Sequence, residues 1–96
     1  MSELTVTLEK QVEAHGETIK ELKFREPTGA DIEECGIPVN FRYNMDKQSI
    51  EFDVDGKAMT QMMSRLASVP TSTIRMLTAS DWVSCSFALQ RFFQPR

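Results

Sequence analysis

Three side chains in this 96-residue chain are candidates for metal or cofactor chemistry: one histidine and two cysteines. His15 precedes Gly16 in a short polar segment, and Cys35 and Cys85 lie far apart in the chain. A metal site needs several His, Cys or carboxylate ligands at compatible spacing, and these residues do not supply such a set. The sequence therefore predicts no metal site and no cofactor, and His15 is better explained as a turn residue.

Cys85 lies in an apolar segment together with Trp82, Phe87 and Leu89. A cysteine nucleophile needs a neighbouring base or a positively charged environment that stabilises its thiolate. The apolar neighbours of Cys85 instead favour a packing role. In a reducing compartment, both cysteines are expected to be small buried apolar groups.

Two close pairs of carboxylates could serve in principle as general acid and general base. They are Glu33 with Glu34, and Asp53 with Asp55. Carboxylates on exposed helix and strand faces usually serve solubility, and Gly29 and Gly36 belong to no phosphate-binding fingerprint. We therefore predict no catalytic residues, and a protein that is not an enzyme.

Composition and length predict one globular domain spanning residues 1–96. The chain is 41% hydrophobic and 26% charged, which is typical of folded proteins and argues against wholesale disorder. It contains no run of about 18 apolar residues that could cross a membrane. Its first residues lack the basic start and apolar run of a signal peptide, so we expect a cytosolic protein with no membrane partner.

Charge divides the chain into an acidic half and a basic half. Residues 1–55 contain thirteen acids and six bases, whereas residues 56–96 contain one acid and five bases. Such an asymmetry can mark a partner surface, but it is also common on solvated faces without a specific role. The bases of the second half are scattered rather than clustered, which disfavours nucleic acid as a partner.

The acidic half has the period-two alternation of β-strands. Apolar residues alternate with polar ones from Leu4 to Val12, and a second strand follows the pair His15–Gly16. Gly16 adopts positive φ without strain, so this pair suits a tight hairpin turn. Ile19 breaks the parity of the second strand, which predicts a bulge or a strand start near it.

A short helix and a second hairpin complete the predicted β-rich half. Thr28 resembles an N-cap with Asp31 three residues later, and this helix is expected to end near Gly36. Residues 37–56 then alternate again around a polar turn at 44–48, with a charged face that should be solvated.

Helical periodicity replaces the alternation from Asp55 onward. Apolar residues recur at helical spacing after this N-cap, a short helical turn follows Pro70, and Thr78 caps a last helix over about 79–93. The fold class predicted from these patterns is α+β, with N-terminal antiparallel β-hairpins followed by two to three C-terminal helices.

Two apolar surfaces of these helices are candidates for binding a partner. Met59, Met62 and Met63 share one helix face, where methionine suits either the core or an adaptable binding surface. In the last helix, Val83 and Phe87 lie about 100° and about 140° from Trp82, which widens its apolar sector to about 220°. Such a helix must be covered on two sides, either by the sheet and the methionine helix together or by another protein chain.

The segment LKFREPTGAD at 22–31 combines the end of an apolar strand with Arg25, Pro27, Gly29 and Asp31. Together with the two opening strands, it resembles the start of the tail assembly chaperones of contractile-tailed bacteriophages, the Mu-like and P2-like group. In that family an arginine is followed by Pro, Gly and Asp at the opening of a helix.

The C-terminal half extends the resemblance over nearly the whole chain. Leu77, Asp81 and Trp82 match a Leu–Asp–apolar signature of the family, and Phe92–Phe93 resembles its aromatic end. The order and spacing of these short motifs carry the resemblance. The hairpin at 37–56 is longer than the connection expected in the family.

The resemblance implies a chaperone without enzymatic activity, acting in the cytoplasm of the host. Its expected partner is the tape measure protein, which it would bind and keep soluble until the tail tube polymerises. The resemblance also implies an extended frameshift product. Independently of it, a chain this short buries a modest core, which favours support from a second subunit in a homo-oligomer or from another partner. Two alternatives stay open: a small structural or adaptor subunit of the tail or baseplate, and a nucleic-acid-binding regulator.

Overall fold

The computed structural model describes residues 3–93, which form two β-hairpins and four helices. In chain order the elements are β1 (Glu3–Ala14), β2 (Glu17–Arg25), α1 (Gly29–Cys35), β3 (Val39–Asn44), β4 (Ser49–Val54), α2 (Gly56–Ala67), α3 (Thr71–Arg75) and α4 (Ala79–Phe93). This architecture confirms the α+β class and the predicted order of antiparallel hairpins and C-terminal helices.

The turn between β1 and β2 is the one predicted at His15–Gly16. Both residues have positive φ, 55° for His15 and 78° for Gly16. Two consecutive residues with positive φ match the twist of a two-residue hairpin, which explains the glycine at the second position.

The β1–β2 ladder contains one large irregularity, close to the predicted position. Thr7 pairs with Glu21 and Val12 pairs with Ile19, so residues 8–11 of β1 face Lys20 alone. The parity break at Ile19 is therefore confirmed as a bulge, and the extra residues belong to β1. The extra backbone groups of β1 in this bulge have no partners in β2, so they are available to hydrogen-bond with other elements.

Helix α1 has the predicted boundaries. The backbone N–H of Thr28 donates to the Asp31 carboxylate at 2.8 Å, which gives one half of the expected capping interaction. The helix ends at Cys35, and Gly36 follows with a φ of 84°.

The second hairpin is also present at its predicted position. Its register pairs three apolar positions across the strands: Val39 with Val54, Phe41 with Phe52, and Tyr43 with Ile50. On the opposite face, Arg42 forms an ion pair with Asp53 at 2.8 Å and lies 3.9 Å from Glu51. The predicted charged face is therefore solvent-exposed at Arg42 and Asp53, and its arginine pairs with both carboxylates.

The helices begin at the predicted caps. The Asp55 side chain accepts from the N–H of Ala58 at 3.1 Å, and the Thr78 hydroxyl accepts from the N–H of Asp81 at 3.1 Å. Helix α2 ends at Ala67, because Ser68 adopts the left-handed conformation with φ of 56°. This end lies three residues before Pro70, which precedes the first residue of α3.

The core lies between the first hairpin and the C-terminal helices. Helix α2 packs against β2, α4 packs against β1, and α1 and α3 close the sides of α2. The buried residues of this core are Leu8, Val12, Leu22, Phe24, Val39, Met59, Met62, Met63, Leu66, Ile74, Leu77, Cys85 and Leu89. Within residues 3–93, no helix is long and apolar enough to cross a membrane.

Candidate functional site

His15 has a structural contact in the fold. Its Nε2 atom lies 3.1 Å from the carbonyl oxygen of Ser68, which joins the turn of the first hairpin to the end of α2. Within the part of the chain that the structure describes, no group of three or more His, Cys, Asp or Glu residues is arranged to hold a metal ion.

The two cysteines lie in environments that favour the neutral thiol. Cys85 is fully buried in the core, and desolvation raises its pKa to about 12. Cys35 is half-buried, and desolvation also raises its pKa. Because the thiolate is the nucleophilic form, neither environment activates a cysteine.

The carboxylate pairs considered for acid–base chemistry have separate structural surroundings. Asp53 is paired with Arg42, and Asp55 caps α2. Glu33 and Glu34 are exposed on α1. The structure therefore places neither pair of carboxylates in a shared buried site. In such a site, the proximity of two carboxylates would raise the pKa of one of them towards the range used in acid–base catalysis.

Among the residues that the structure describes, the carboxylate of Asp31 accepts the most hydrogen bonds, and only 1% of the residue's surface is exposed. Arg25 donates to both of its oxygens, from Nη1 at 2.7 Å and from Nη2 at 2.9 Å. Thr28 donates to the same carboxylate through its backbone N–H and its hydroxyl. Arg65 of α2 donates through Nε.

These contacts make Asp31 the point where β2, α1 and α2 are joined. The hydrogen bonds from Arg25 are the main reason why the pKa of Asp31 lies far below its ordinary value, with further contributions from Thr28 and Arg65. Buried charge is stable only when it is paired in this way. The motif residues Arg25 and Asp31 therefore hold elements together, with Pro27 in the connection between β2 and α1 and Gly29 as the first residue of α1.

Asp81 is the second buried carboxylate, with 2% of its surface exposed. Its oxygens accept hydrogen bonds from the backbone N–H of Glu9, at 2.9 and 3.1 Å, and from that of Lys10 at 3.2 Å. Glu9 and Lys10 lie in the bulge of β1. These backbone hydrogen bonds lower the pKa of Asp81, so the charged carboxylate ties α4 to the first hairpin.

The other two residues of the C-terminal motif also have defined contacts. Leu77 joins the core with 9% exposure. Trp82 is half-buried, and its indole Nε1 donates to the hydroxyl of Thr60 on α2 at 3.1 Å. This bond fixes the indole ring across the gap between α4 and α2.

The methionine face of α2 belongs to the core. Met59, Met62 and Met63 have no exposed surface, because this stripe is the side of α2 that packs against the sheet and its neighbours. These three side chains cannot meet a partner in this conformation. The sequence allowed these methionines a role either in the core or on an adaptable binding surface, and the structure places them in the core.

The second apolar side of α4 is uncovered. Phe87 is 66% exposed and Val83 is 44% exposed, whereas Cys85 and Leu89 are fully buried. Phe87 lies about 160° around the helix from Leu89, so it faces away from the core. The explanation that the sheet and α2 cover α4 on both sides is therefore wrong, since within the chain Val83 and Phe87 stay exposed. We call the exposed Val83 and Phe87 the α4 outer face.

A further exposed apolar surface lies on the second hairpin, where the sequence predicted no binding surface. Tyr43 is 63% exposed, Ile50 is 60% exposed, and Met45 in the turn is 80% exposed. Alternation predicts one apolar face for a hairpin, but it does not indicate whether another element covers that face. Val39, at the base of the hairpin, is buried in the core, and Phe41 packs against it partly buried.

An open pocket of about 580 Å³ lies between α2, α3 and α4, and no sequence pattern predicted it. The residues that line it are Gly56, Lys57, Thr60, Gln61, Arg75 and Trp82. These residues come from three separate segments, which only the tertiary fold brings together. No local spacing in the sequence could have indicated this site.

The fold and its surfaces define a small α+β protein whose described part carries exposed apolar patches on α4 and on the second hairpin. Residues 5–94 match the family described as phage tail assembly chaperone proteins, E, or 41 or 14. Because the match spans most of the chain, the chain belongs to the phage tail assembly chaperone family. Comparisons with curated proteins and with solved structures gave no significant match.

Proposed function

We propose that this chaperone binds the tape measure protein of its phage and keeps it soluble in the host cytoplasm while the tail tube assembles. Membership of the tail assembly chaperone family indicates a role in tail assembly and protein partners within the tail. The tape measure protein is the partner that the family resemblance implies. A long apolar protein of this kind needs its apolar surface covered before the tube forms.

The observation that carries this proposal is the exposure of the α4 outer face. Large apolar side chains on a helix of a small soluble domain usually pack inward, and an exposed cluster is typical of a surface that binds protein. Phe87 is the centre of this surface, since two thirds of its side chain meets solvent and its helix position points away from the core. An apolar partner segment would gain free energy by covering it.

Co-expression with the tape measure protein tests the proposal directly. The wild-type chain is expected to increase the fraction of tape measure protein that stays in the supernatant and to co-purify with it. Phe87→Ser and Val83→Ser should weaken both effects, because a polar side chain removes apolar surface from the contact. Each variant is first compared with the wild type by thermal melting, so that loss of binding is separated from loss of fold.

Tyr43→Ser provides the matched control, because Tyr43 is as exposed as Phe87 but lies on the second hairpin. We expect the Tyr43→Ser variant to solubilise the tape measure protein and to co-purify with it as the wild type does. If Tyr43→Ser loses it and Phe87→Ser keeps it, the binding surface is the hairpin rather than the α4 outer face. If the wild-type chain neither solubilises nor co-purifies with the tape measure protein, the proposed function is wrong.

A second measurement separates a chaperone from a subunit of the particle. A chaperone that releases its client leaves before the tail is complete, so purified phage tails should lack this chain. Mass spectrometry of purified tails checks this expectation. If the chain is present in purified tails in stoichiometric amount, it is instead a structural subunit of the tail or baseplate.

A further inference from the structure

The pocket between α2, α3 and α4 combines two positively charged side chains with an aromatic wall. Lys57 and Arg75 both line it and are exposed. Neither forms an ion pair with a carboxylate of residues 3–93. No carboxylate is among the residues that line the pocket. The lining therefore carries two positive charges and no negative one.

The aromatic wall of the pocket is held in place before any ligand arrives. The hydrogen bond from Trp82 to Thr60 orients the indole, and both residues line the pocket. A pre-organised aromatic surface beside an arginine is the composition that dominates binding energy in protein interfaces. The pocket is thus suited to a side chain that has an apolar stem and a negative end.

The pocket is also adjacent in the chain to the exposed apolar residues. Trp82 directly precedes Val83 of the α4 outer face, and Arg75 directly precedes Met76, which is 61% exposed. A segment that covers Val83 therefore has the charged pocket within reach of its neighbouring side chains. Apolar contact and charge recognition would then act on one continuous partner segment.

We propose that this pocket binds the carboxylate of an aspartate or glutamate on the partner segment whose apolar side chains cover the α4 outer face. This inference rests on the proposed function, because it describes the chemistry of the same partner. Arginine binds a planar carboxylate through two parallel hydrogen bonds, and lysine adds a second positive charge. The acidic side chain fixes the register of the partner along the apolar surface.

Nucleic acid is the less suitable anion for this site. A polynucleotide is held by many phosphate contacts along an extended basic track, whereas this pocket offers two cations. The chain as a whole carries a net charge of −3, which repels a long polyanion. A single carboxylate within a protein segment fits the charge and the size of the site.

The test uses overlapping synthetic peptides of the tape measure protein that contain no tryptophan. Trp82 is the only tryptophan of the chain, so its fluorescence reports on the occupancy of the pocket. The double variant Lys57→Gln with Arg75→Gln is expected to bind the best peptide about tenfold more weakly at low salt. Its change in Trp82 emission should be smaller than that of the wild type at equal saturation.

The control is the double variant Lys20→Gln with Lys47→Gln, which loses the same charge at exposed sites outside the pocket. It should bind like the wild type. Raising the salt from about 50 mM to about 500 mM should weaken wild-type binding several-fold and affect the pocket variant much less. Replacing the acidic residues of the peptide by their amides should reproduce the loss seen with the pocket variant.

The two proposals fail in different ways. If the wild type binds a peptide and the pocket variant binds it equally well, the carboxylate site is wrong while the proposed function stands. The same conclusion follows if the amide peptide binds as tightly as the acidic one. If the wild type binds no peptide of the tape measure protein, the proposed function is wrong, and this inference with it.

Discussion

The carboxylate of Asp81, in the first turn of α4, accepts both of its closest hydrogen bonds from the backbone N–H of Glu9, which lies 72 residues earlier in the chain. The bulge of β1 exposes this N–H because the residue has no partner in β2. The charged side chain of Asp81 therefore satisfies the irregular strand, while Thr78 caps the helix that carries it. This link between α4 and the first hairpin explains why an aspartate stands at this position.

Asp81→Ala is expected to lower the free energy of unfolding by about 3 kcal/mol. The substitution leaves the N–H groups of Glu9 and Lys10 without their acceptor in a partly buried place, which costs more than the ~1 kcal/mol of a lost helix cap. Urea unfolding at neutral pH measures the difference. Glu9→Ala is the control, because it removes an exposed side chain and keeps the backbone N–H. A loss of only ~1 kcal/mol in Asp81→Ala would mean that these backbone contacts contribute little.

Stability is expected to fall as the pH is lowered from about 5 to about 2. The pKa of Asp31 is lowered in the folded state, mainly by Arg25, and that of Asp81 is lowered mainly by the N–H of Glu9. A carboxyl whose folded pKa is below its unfolded value of about 3.9 contributes full stability above that value. This contribution is lost as the pH falls towards the folded pKa.

The variant Asp31→Asn tests the assignment of this pH dependence. Its free energy of unfolding should vary less with pH than that of the wild type between about pH 5 and about pH 2, because the titrating group is gone. Asp46→Asn, in the exposed turn of the second hairpin, should keep the wild-type slope. Equal slopes in all three proteins would rule out Asp31 as a source of the acid sensitivity.

The effect of a substitution at Gly16 on the free energy of unfolding should depend on backbone conformation alone. A Cβ atom at this position would meet no heavy atom within 4 Å, but φ is 78°. We expect Gly16→Val to cost about 2 kcal/mol and Gly16→Asn about 1 kcal/mol or less, since asparagine tolerates positive φ better than a β-branched residue does. Thermal and urea unfolding compare the two variants. If they are equally stable, the turn geometry is not what the glycine provides.

Phe87 and Leu89 should respond very differently to the same substitution. Leu89→Ser places a hydroxyl in the core and removes a fully buried side chain, which should cost ~3 kcal/mol or more and unfold much of the protein. Phe87→Ser should change the unfolding free energy by about 0.5 kcal/mol or less, because its side chain is mostly in solvent. Thermal melting of both variants decides this. Equal destabilisation would place Phe87 in the core of the folded domain.

The reactivity of the two cysteines should differ in the folded protein. The Cys85 thiol is fully buried and has a pKa raised to about 12, whereas Cys35 is half-buried. At pH 8, iodoacetamide should modify Cys35 first and reach Cys85 only when the protein unfolds, because the thiolate is the reacting form. Mass spectrometry of labelled peptides, with and without urea, checks the order. Rapid labelling of Cys85 in the native protein would contradict its buried position.

The features that the sequence determined by itself are local ones. The turn at His15–Gly16 and the caps at Thr28, Asp55 and Thr78 depend on φ angles and hydrogen bonds within a few residues. Alternation and helical spacing likewise depend on neighbours along the chain. For this reason the order and approximate ends of all eight elements could be predicted. The family motif was visible for the same reason, since its residues occur in a fixed order.

Tertiary structure decided which apolar faces are covered and which charged groups meet. Helical spacing identified the methionine stripe and the α4 outer face equally well, but the fold buries Met62 and leaves Phe87 in solvent. Alternation could not show that the second hairpin keeps Tyr43 exposed. The Arg65–Asp31 pair, the Glu9–Asp81 hydrogen bonds and the pocket at Lys57 each join segments far apart in the chain. Such contacts arise from the packing of elements against each other, which no local pattern encodes.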